Sequence, residues 1–278
     1  MNTINLEVLN SSFPELKIDS NTDKKEGGQK FVYKATLIEN SKDVALKIIK
    51  ANQNPERIIR EVQAVSSLRS PYFPAIFSTG KRIIENEEFV FVIEEYIEGK
   101  DLRSRLINQD LDINESLKIG LGLLDAIIEI HEKNLVHRDI KPENIMVDNN
   151  YRILLLDFGI ARHLDLQSLT QDSALFGPLT VGYGAPEQIT NEKRSISFRT
   201  DLFAWGVLMY ELISGSNPFI IGSKDSAEVL TKTLNYNPPL LDNCESLIAE
   251  LVQWCMHKAV HRRPPNPYIV RDSLKEVC

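Results

Sequence analysis

Eight consecutive residues, His137-Arg138-Asp139-Ile140-Lys141-Pro142-Glu143-Asn144, bring an aspartate, a lysine and an asparagine close together in the chain. Each residue type has a use in phosphoryl transfer. A carboxylate orients a hydroxyl nucleophile and takes its proton. An ammonium neutralises charge on the moving phosphoryl group, and an amide oxygen ligates Mg²⁺. A second stretch, Asp157-Phe158-Gly159, directly follows the apolar run Ile153 to Leu156. A carboxylate at a strand end with glycine nearby is well placed to hold a metal ion.

The elements around these residues change in texture along the chain. Phe31 to Leu37, Asp43 to Ile49 and Phe89 to Ile93 are rich in β-branched and aromatic residues and predict strands. The polar stretch Glu39 to Lys42 reads as the turn between the first two. Pro55 suits a first helical position, and Ile58, Ile59, Val62, Val65 and Leu68 recur at near-helical spacing. From about Ser116 the pattern is mostly helical. Leu117, Leu121, Leu124, Ile127, Ile128 and His131 recur at three and four residues. Phe203 to Ile213 is apolar enough for a buried helix, Gly215 follows as a stop, and 246–256 reads as a further helix. Strands first and helices later predict an α+β chain in two lobes. The join falls near Glu94 to Lys100.

Taken together, these motifs resemble the catalytic core of eukaryotic-type (Hanks-type) protein kinases. Val44-Ala45-Leu46-Lys47 resembles the strand whose lysine touches the α and β phosphates of ATP. Glu61 resembles the helix glutamate that pairs with that lysine. Ala185-Pro186-Glu187 closes the segment opened by Asp157. Asp201 resembles the buried aspartate that anchors the catalytic loop, and Arg263 the late arginine that pairs with Glu187. The style of the loop and hinge resembles bacterial members. The resemblance runs from about Lys24 to Arg271.

It implies a bilobal fold with a small, mostly β N-lobe and a larger, mostly α C-lobe. The boundaries it suggests are an N-terminal extension over 1–23, an N-lobe over 24–96 and a C-lobe over 97–278, forming one catalytic unit with nucleotide in the cleft. It implies Asp139 as catalytic base or orienter and Lys141 at the γ-phosphoryl group. Asn144 and Asp157 would hold Mg²⁺, with Mn²⁺ as an alternative. Gly27, Gly28, Val32, Ala45, Lys47, Glu61, Glu95 and Met146 would contact ATP. Lys141 and Thr180 imply transfer to Ser/Thr hydroxyls of protein substrates. Thr170 or Ser173 would be autophosphorylated, with Arg138 as partner for the added charge. His137 and Phe158 read as core residues.

Two positions depart from the family pattern. Of three expected glycines in the phosphate loop, at Lys25, Gly27 and Lys30, only the middle one is present, with Gly28 beside it. Glycine matters there because a Cβ obstructs the approach of backbone amides to phosphate. The readings are that Lys25 and Lys30 are solvated replacements, or that Lys30 leans over the phosphates. At the lobe junction, Glu94 occupies the position guarding the rear of the adenine pocket, where an apolar residue is more usual. A carboxylate there must find a partner or water, or else turn outward.

Composition narrows the field further. The 278 residues carry 32 Lys+Arg and 39 Asp+Glu, a net charge of −7, which argues against general nucleic-acid binding. The three cysteines, Cys244, Cys255 and Cys278, have no metal-ligand spacing and read as thiols in a reducing compartment. No apolar run has the length of a membrane span and no secretory signal is visible, so a cytoplasmic location is expected. The principal alternative is a pseudokinase acting as a binding or scaffolding module, supported by the reduced phosphate loop. A small-molecule phosphotransferase with a related core would lack the segment from Asp157 to Glu187 and the Arg263 match.

Overall fold

The computed structural model describes residues 4–19, 30–50, 55–66, 70–108, 111–148, 152–157 and 181–277; at Lys30, Arg57, Glu61 and Ala64 the description stops at the backbone. The described residues form two compact units. One comprises 4–70 and 74–98, the other 71–73, 99–157 and 181–277.

The first unit is built on a five-stranded antiparallel sheet. Its strands are β1 (Leu16–Ile18), β2 (Lys30–Leu37), β3 (Asp43–Lys50), β4 (Ile76–Ile84) and β5 (Glu87–Glu95), in the order β1-β2-β3-β5-β4. The turn between β2 and β3 closes on Asn40, whose Oδ1 accepts the Lys42 N–H at 3.1 Å, while Ser41 takes a positive φ of 57°. Glu85 and Asn86, at φ 49° and 66°, join β4 to β5. Two consecutive left-handed residues give the turn that matches strand twist.

Side chains alternate across the strands, so the sheet has two distinct faces. On one, Phe31, Tyr33, Val44, Leu46, Ile48, Phe91 and Ile93 pack against Leu9, Phe13 and Leu16. Of these, Leu9 lies on helix α1 (Leu6–Ser12), Phe13 is its C-cap and Leu16 begins β1. The stretch that the sequence sets apart as an N-terminal extension thus supplies a cover for this face. On the other face, Ile49, Val90 and Val92 pack against Ile58 and Val62 of helix α2 (Pro55–Ser66).

The second unit is mostly helical: α3 (Leu102–Asn108), α4 (Ile113–Glu132), α5 (Pro186–Ile189), α6 (Phe198–Ser214), α7 (Ser226–Asn235), α8 (Ser246–Cys255) and α9 (Pro267–Lys275). A small sheet of β6 (Lys100–Asp101), β7 (Ile145–Val147) and β8 (Ile153–Leu155) lies among them. Helix α4 starts at a capping box in which Asp112 and Glu115 satisfy each other's backbone N–H. The continuous apolar run of α6 is explained by burial on all sides. It ends at Gly215, whose φ of 76° is the left-handed C-cap that favours glycine. The Trp205 indole N–H donates to the Gly120 carbonyl at 2.9 Å. A Cβ at Gly120 would stand 2.5 Å from the Met209 sulfur, so a larger residue where α4 and α6 cross would push the end of the Met209 side chain aside. Residues 71–73 join this unit because the Leu155 N–H donates to the Tyr72 carbonyl at 2.7 Å. No described helix is long and apolar enough to cross a membrane.

Candidate active site

The segment between α4 and β7 carries Asp139, Lys141 and Asn144, and its shape is set from below by Asp201. That carboxylate, in the first turn of α6, is fully buried. It accepts the backbone N–H of His137 and of Arg138, each at 2.8 Å. Burial pushes the Asp201 carboxyl up to about 7, against the pull of these two donors. His137 is also buried, with Nε2 3.0 Å from the Leu156 carbonyl. Gln188 on α5 donates to the Arg138 carbonyl at 2.9 Å. Arg138 itself adopts φ 68°, an unusual conformation for a long side chain that these contacts from three directions hold in place.

On this platform the chemical groups converge. The Asn144 amide nitrogen donates to the Asp139 carbonyl at 2.8 Å and to Asp139 Oδ2 at 3.0 Å. Lys141 Nζ lies 3.4 Å from the same Oδ2. With its nitrogen committed to Asp139, Asn144 turns Oδ1 to the opposite edge of its amide plane. An amide oxygen and a carboxylate are both hard oxygen donors of the kind that Mg²⁺ takes. The Leu156 N–H donates to the Asn144 carbonyl at 2.7 Å, which ties the metal-ligand candidates to each other through backbone. Asp157 sits at φ 56°, a left-handed position for a non-glycine residue at the end of β8.

Glu187, in the Ala185-Pro186-Glu187 stretch, is held by an ion pair. Glu187 and Arg263 meet in a bidentate contact at 2.7 and 2.8 Å, their side chains 1% and 0% exposed. Thr200 Oγ1 donates to Glu187 at 2.8 Å, and Arg263 also donates to the carbonyls of Arg199 and His257. A buried charge pair is tolerated when its remaining donors are satisfied in this way. Beside it, Tyr183 and Arg103 both hydrogen-bond to Glu211, and Arg103 also pairs with Glu143 at 2.8 Å. This cluster was not foreseen from the sequence, because its members are scattered along the chain.

In the first unit, the strand registers place Val32, Ala45 and Lys47 on one sheet face, since Val32 stands opposite Lys47 and Ala45 opposite Glu94. Glu94 points inward. It is 8% exposed, as is Lys47, and the two side chains form an ion pair. Glu95 accepts the Ala75 N–H on its carboxylate at 3.3 Å and donates its own N–H to the Ala75 carbonyl at 2.8 Å. Met146 belongs to the second unit, buried in β7 opposite Asp101. Gly27, Gly28, Lys25, Phe158, Gly159, Thr170, Ser173 and Thr180 lie outside the described residues, as do the side chains of Lys30 and Glu61.

The protein kinase domain model matches residues 26–274. The chain is 30% identical over 255 residues to serine/threonine-protein kinase PrkC of Bacillus subtilis, covering 90% of this chain and 38% of that protein. It is 32% identical over 258 residues to serine/threonine-protein kinase PknB of Mycobacterium leprae, covering 90% and 40%. A probable serine/threonine-protein kinase of Streptomyces coelicolor is 35% identical over 202 residues, covering 70% of this chain and 29% of its own length. The chain thus spans well under half the length of these relatives. With the platform under Asp139 and a match over nearly its whole length, the chain belongs to the protein kinase family, among the Hanks-type serine/threonine kinases of bacterial type.

Proposed function

We propose that this chain transfers the γ-phosphoryl group of ATP, in the presence of Mg²⁺, to serine and threonine hydroxyls of protein substrates. The observation that carries the reading is the convergence of Asp139, Lys141 and Asn144 on the backbone platform held by Asp201. Asp139 orients the substrate hydroxyl and accepts its proton as the phosphorus–oxygen bond forms. Lys141 follows the charge that develops on the transferred group. Asn144 and Asp157 hold the metal, which neutralises phosphate charge when bound. Lys47 holds the α and β phosphates. Little covalent chemistry is asked of the protein; position and charge do the work.

Specificity for serine and threonine is supported by Lys141 and by the names of the relatives. Autophosphorylation at Thr170 or Ser173, with Arg138 as the charge partner, belongs to the same proposal, as does action in the cytoplasm, where ATP is supplied. An intact set of Lys47, Asp139, Asn144 and Asp157 weighs against a scaffolding role without catalysis. The test incubates the chain with Mg-ATP and a dephosphorylated bacterial protein extract, then maps phosphosites by mass spectrometry. New phosphoserine and phosphothreonine are expected. No new phosphate, or phosphate on tyrosine alone, would refute the reading.

A further inference from the structure

Glu94 and Lys47 occupy neighbouring strands of one sheet, and the register explains how they meet. Lys47 stands opposite Val92 and Ala45 opposite Glu94, so the lysine and the glutamate are diagonal neighbours on the same face. Long side chains reach each other across that diagonal. Both are almost fully buried, and their charged ends are in contact. Around them lie the apolar Val92 and Ala45. In such surroundings a carboxylate fixes an ammonium strongly, because little water competes for either group.

We propose that Glu94 is a positioning residue for Lys47: a carboxylate on the adjacent strand that holds, from within the sheet, the ammonium that engages the nucleotide's phosphates. A lysine has three N–H donors, so one can serve Glu94 while others serve phosphate oxygens. Because β3 and β5 are hydrogen-bonded along their length, the sheet itself sets the ammonium against Glu94. The glutamate that departs from the family pattern thus takes a share in nucleotide binding. This inference rests on the reading of the chain as an ATP-using kinase.

A double-mutant cycle on the full chain tests it, with Mg-ADP affinity read by calorimetric titration in wild type, Glu94→Gln, Lys47→Met and the double variant. Glu94→Gln should weaken Mg-ADP by about tenfold or more when Lys47 is present, and by less than about twofold in the Lys47→Met background. The KM for protein substrate should stay unchanged while the KM for ATP rises. Equal losses in both backgrounds would mean that Glu94 acts without Lys47, and an unchanged affinity in Glu94→Gln would mean that it does not act at all; either overturns the proposal. If Glu94→Gln fails to fold, Glu94→Met carries the same cycle with the same two outcomes. A wild-type chain that binds Mg-ADP but transfers no phosphate would refute the kinase reading while leaving the cycle readable.

Discussion

Asp139 and Lys47 are charged groups to which the proposed reaction assigns roles, yet the two units hold them differently. Asp139 is half-buried and sits on a segment fixed by backbone hydrogen bonds to Asp201, by Gln188 on the Arg138 carbonyl and by Asn144. Several elements would have to shift before it moved. Lys47 is more deeply buried, and its ammonium meets the carboxylate of Glu94 on the adjacent strand. The first arrangement protects geometry through redundancy. The second relies on a charge pair between side chains on one sheet face. Damage to the supports of the first should therefore appear as lost stability or a lost chemical step, and damage to the second as lost nucleotide affinity.

The largest expected effect breaks the metal side of the platform. Asp157→Ala should lower the transfer rate by about a thousandfold, as removal of charge stabilisation at a reacting phosphate does. A steady-state assay of ADP release checks this; a loss below about tenfold would place the metal elsewhere. Next comes Glu187→Ala, which strands the Arg263 guanidinium in a site with no exposure. It should cost about 3–5 kcal/mol in urea unfolding of the second unit. Glu187→Leu with Arg263→Met should recover much of that loss, because an apolar pair removes both charges. A persistent deficit in the double variant would show that the pair does more than compensate itself.

Asp201→Asn gives a smaller effect with a pH signature. Asparagine keeps one acceptor oxygen but sets an NH₂ against the second backbone N–H, so kcat should fall about tenfold or more with little change in the KM for ATP. The Asp201 carboxyl in the folded chain titrates near 7, above its ordinary value of 3.8. Between these two values the folded state binds the extra proton, so the contribution of this group to stability falls as pH rises from about 4 to about 7. Asp201→Asn should remove that slope, which unfolding curves at pH 5 and pH 7.5 would measure.

The smallest effect is at Lys258, whose buried ammonium nitrogen has no hydrogen-bond partner among the described residues and lies 4.2 Å from the centre of the Phe219 ring. Burial, the largest cause, together with the Arg263 charge, lowers this group to about 7. The unfolded chain binds that proton more readily between about 7 and 10.5, so the lysine destabilises the fold most at and below neutral pH, and stability gains as pH rises through this window. Lys258→Met should raise the unfolding temperature by about 2–4 °C at pH 7 and by less at pH 10. No gain at pH 7 would show that the ring contacts already compensate the charge.

The same contrast governs what could be read from the sequence. Asp139, Lys141, Asn144 and Asp157 lie close together along the chain, so their types and spacing announced the chemistry. Their supports are remote: His137 and Asp201 are 64 residues apart, and Glu187 and Arg263 are 76 apart. Resemblance supplied these two long-range links, but residue pattern alone would not. The strands β2, β3 and β5 were legible because they are rich in β-branched and aromatic residues. Strand β4 was not, because Ser78-Thr79-Gly80-Lys81-Arg82 interrupts it with polar residues and a glycine. That glycine is explained by packing: a Cβ at Gly80 would stand 3.0 Å from the Phe91 ring. Helix α1 was missed as well, since seven residues with few apolar positions carry little periodic signal. For Glu94, the sequence left two readings, a carboxylate that finds a partner or water and one that turns outward. Only the register of β3 against β5 identifies that partner as Lys47.

The most direct test is single-turnover transfer from γ-labelled Mg-ATP to a protein substrate, run on wild type and Asp139→Asn chains matched for nucleotide affinity. Asp139→Asn should bind Mg-ATP as the wild type does and transfer label at least about a hundredfold more slowly, since it retains the loop but has lost the base. Equal transfer by the two chains would contradict the account.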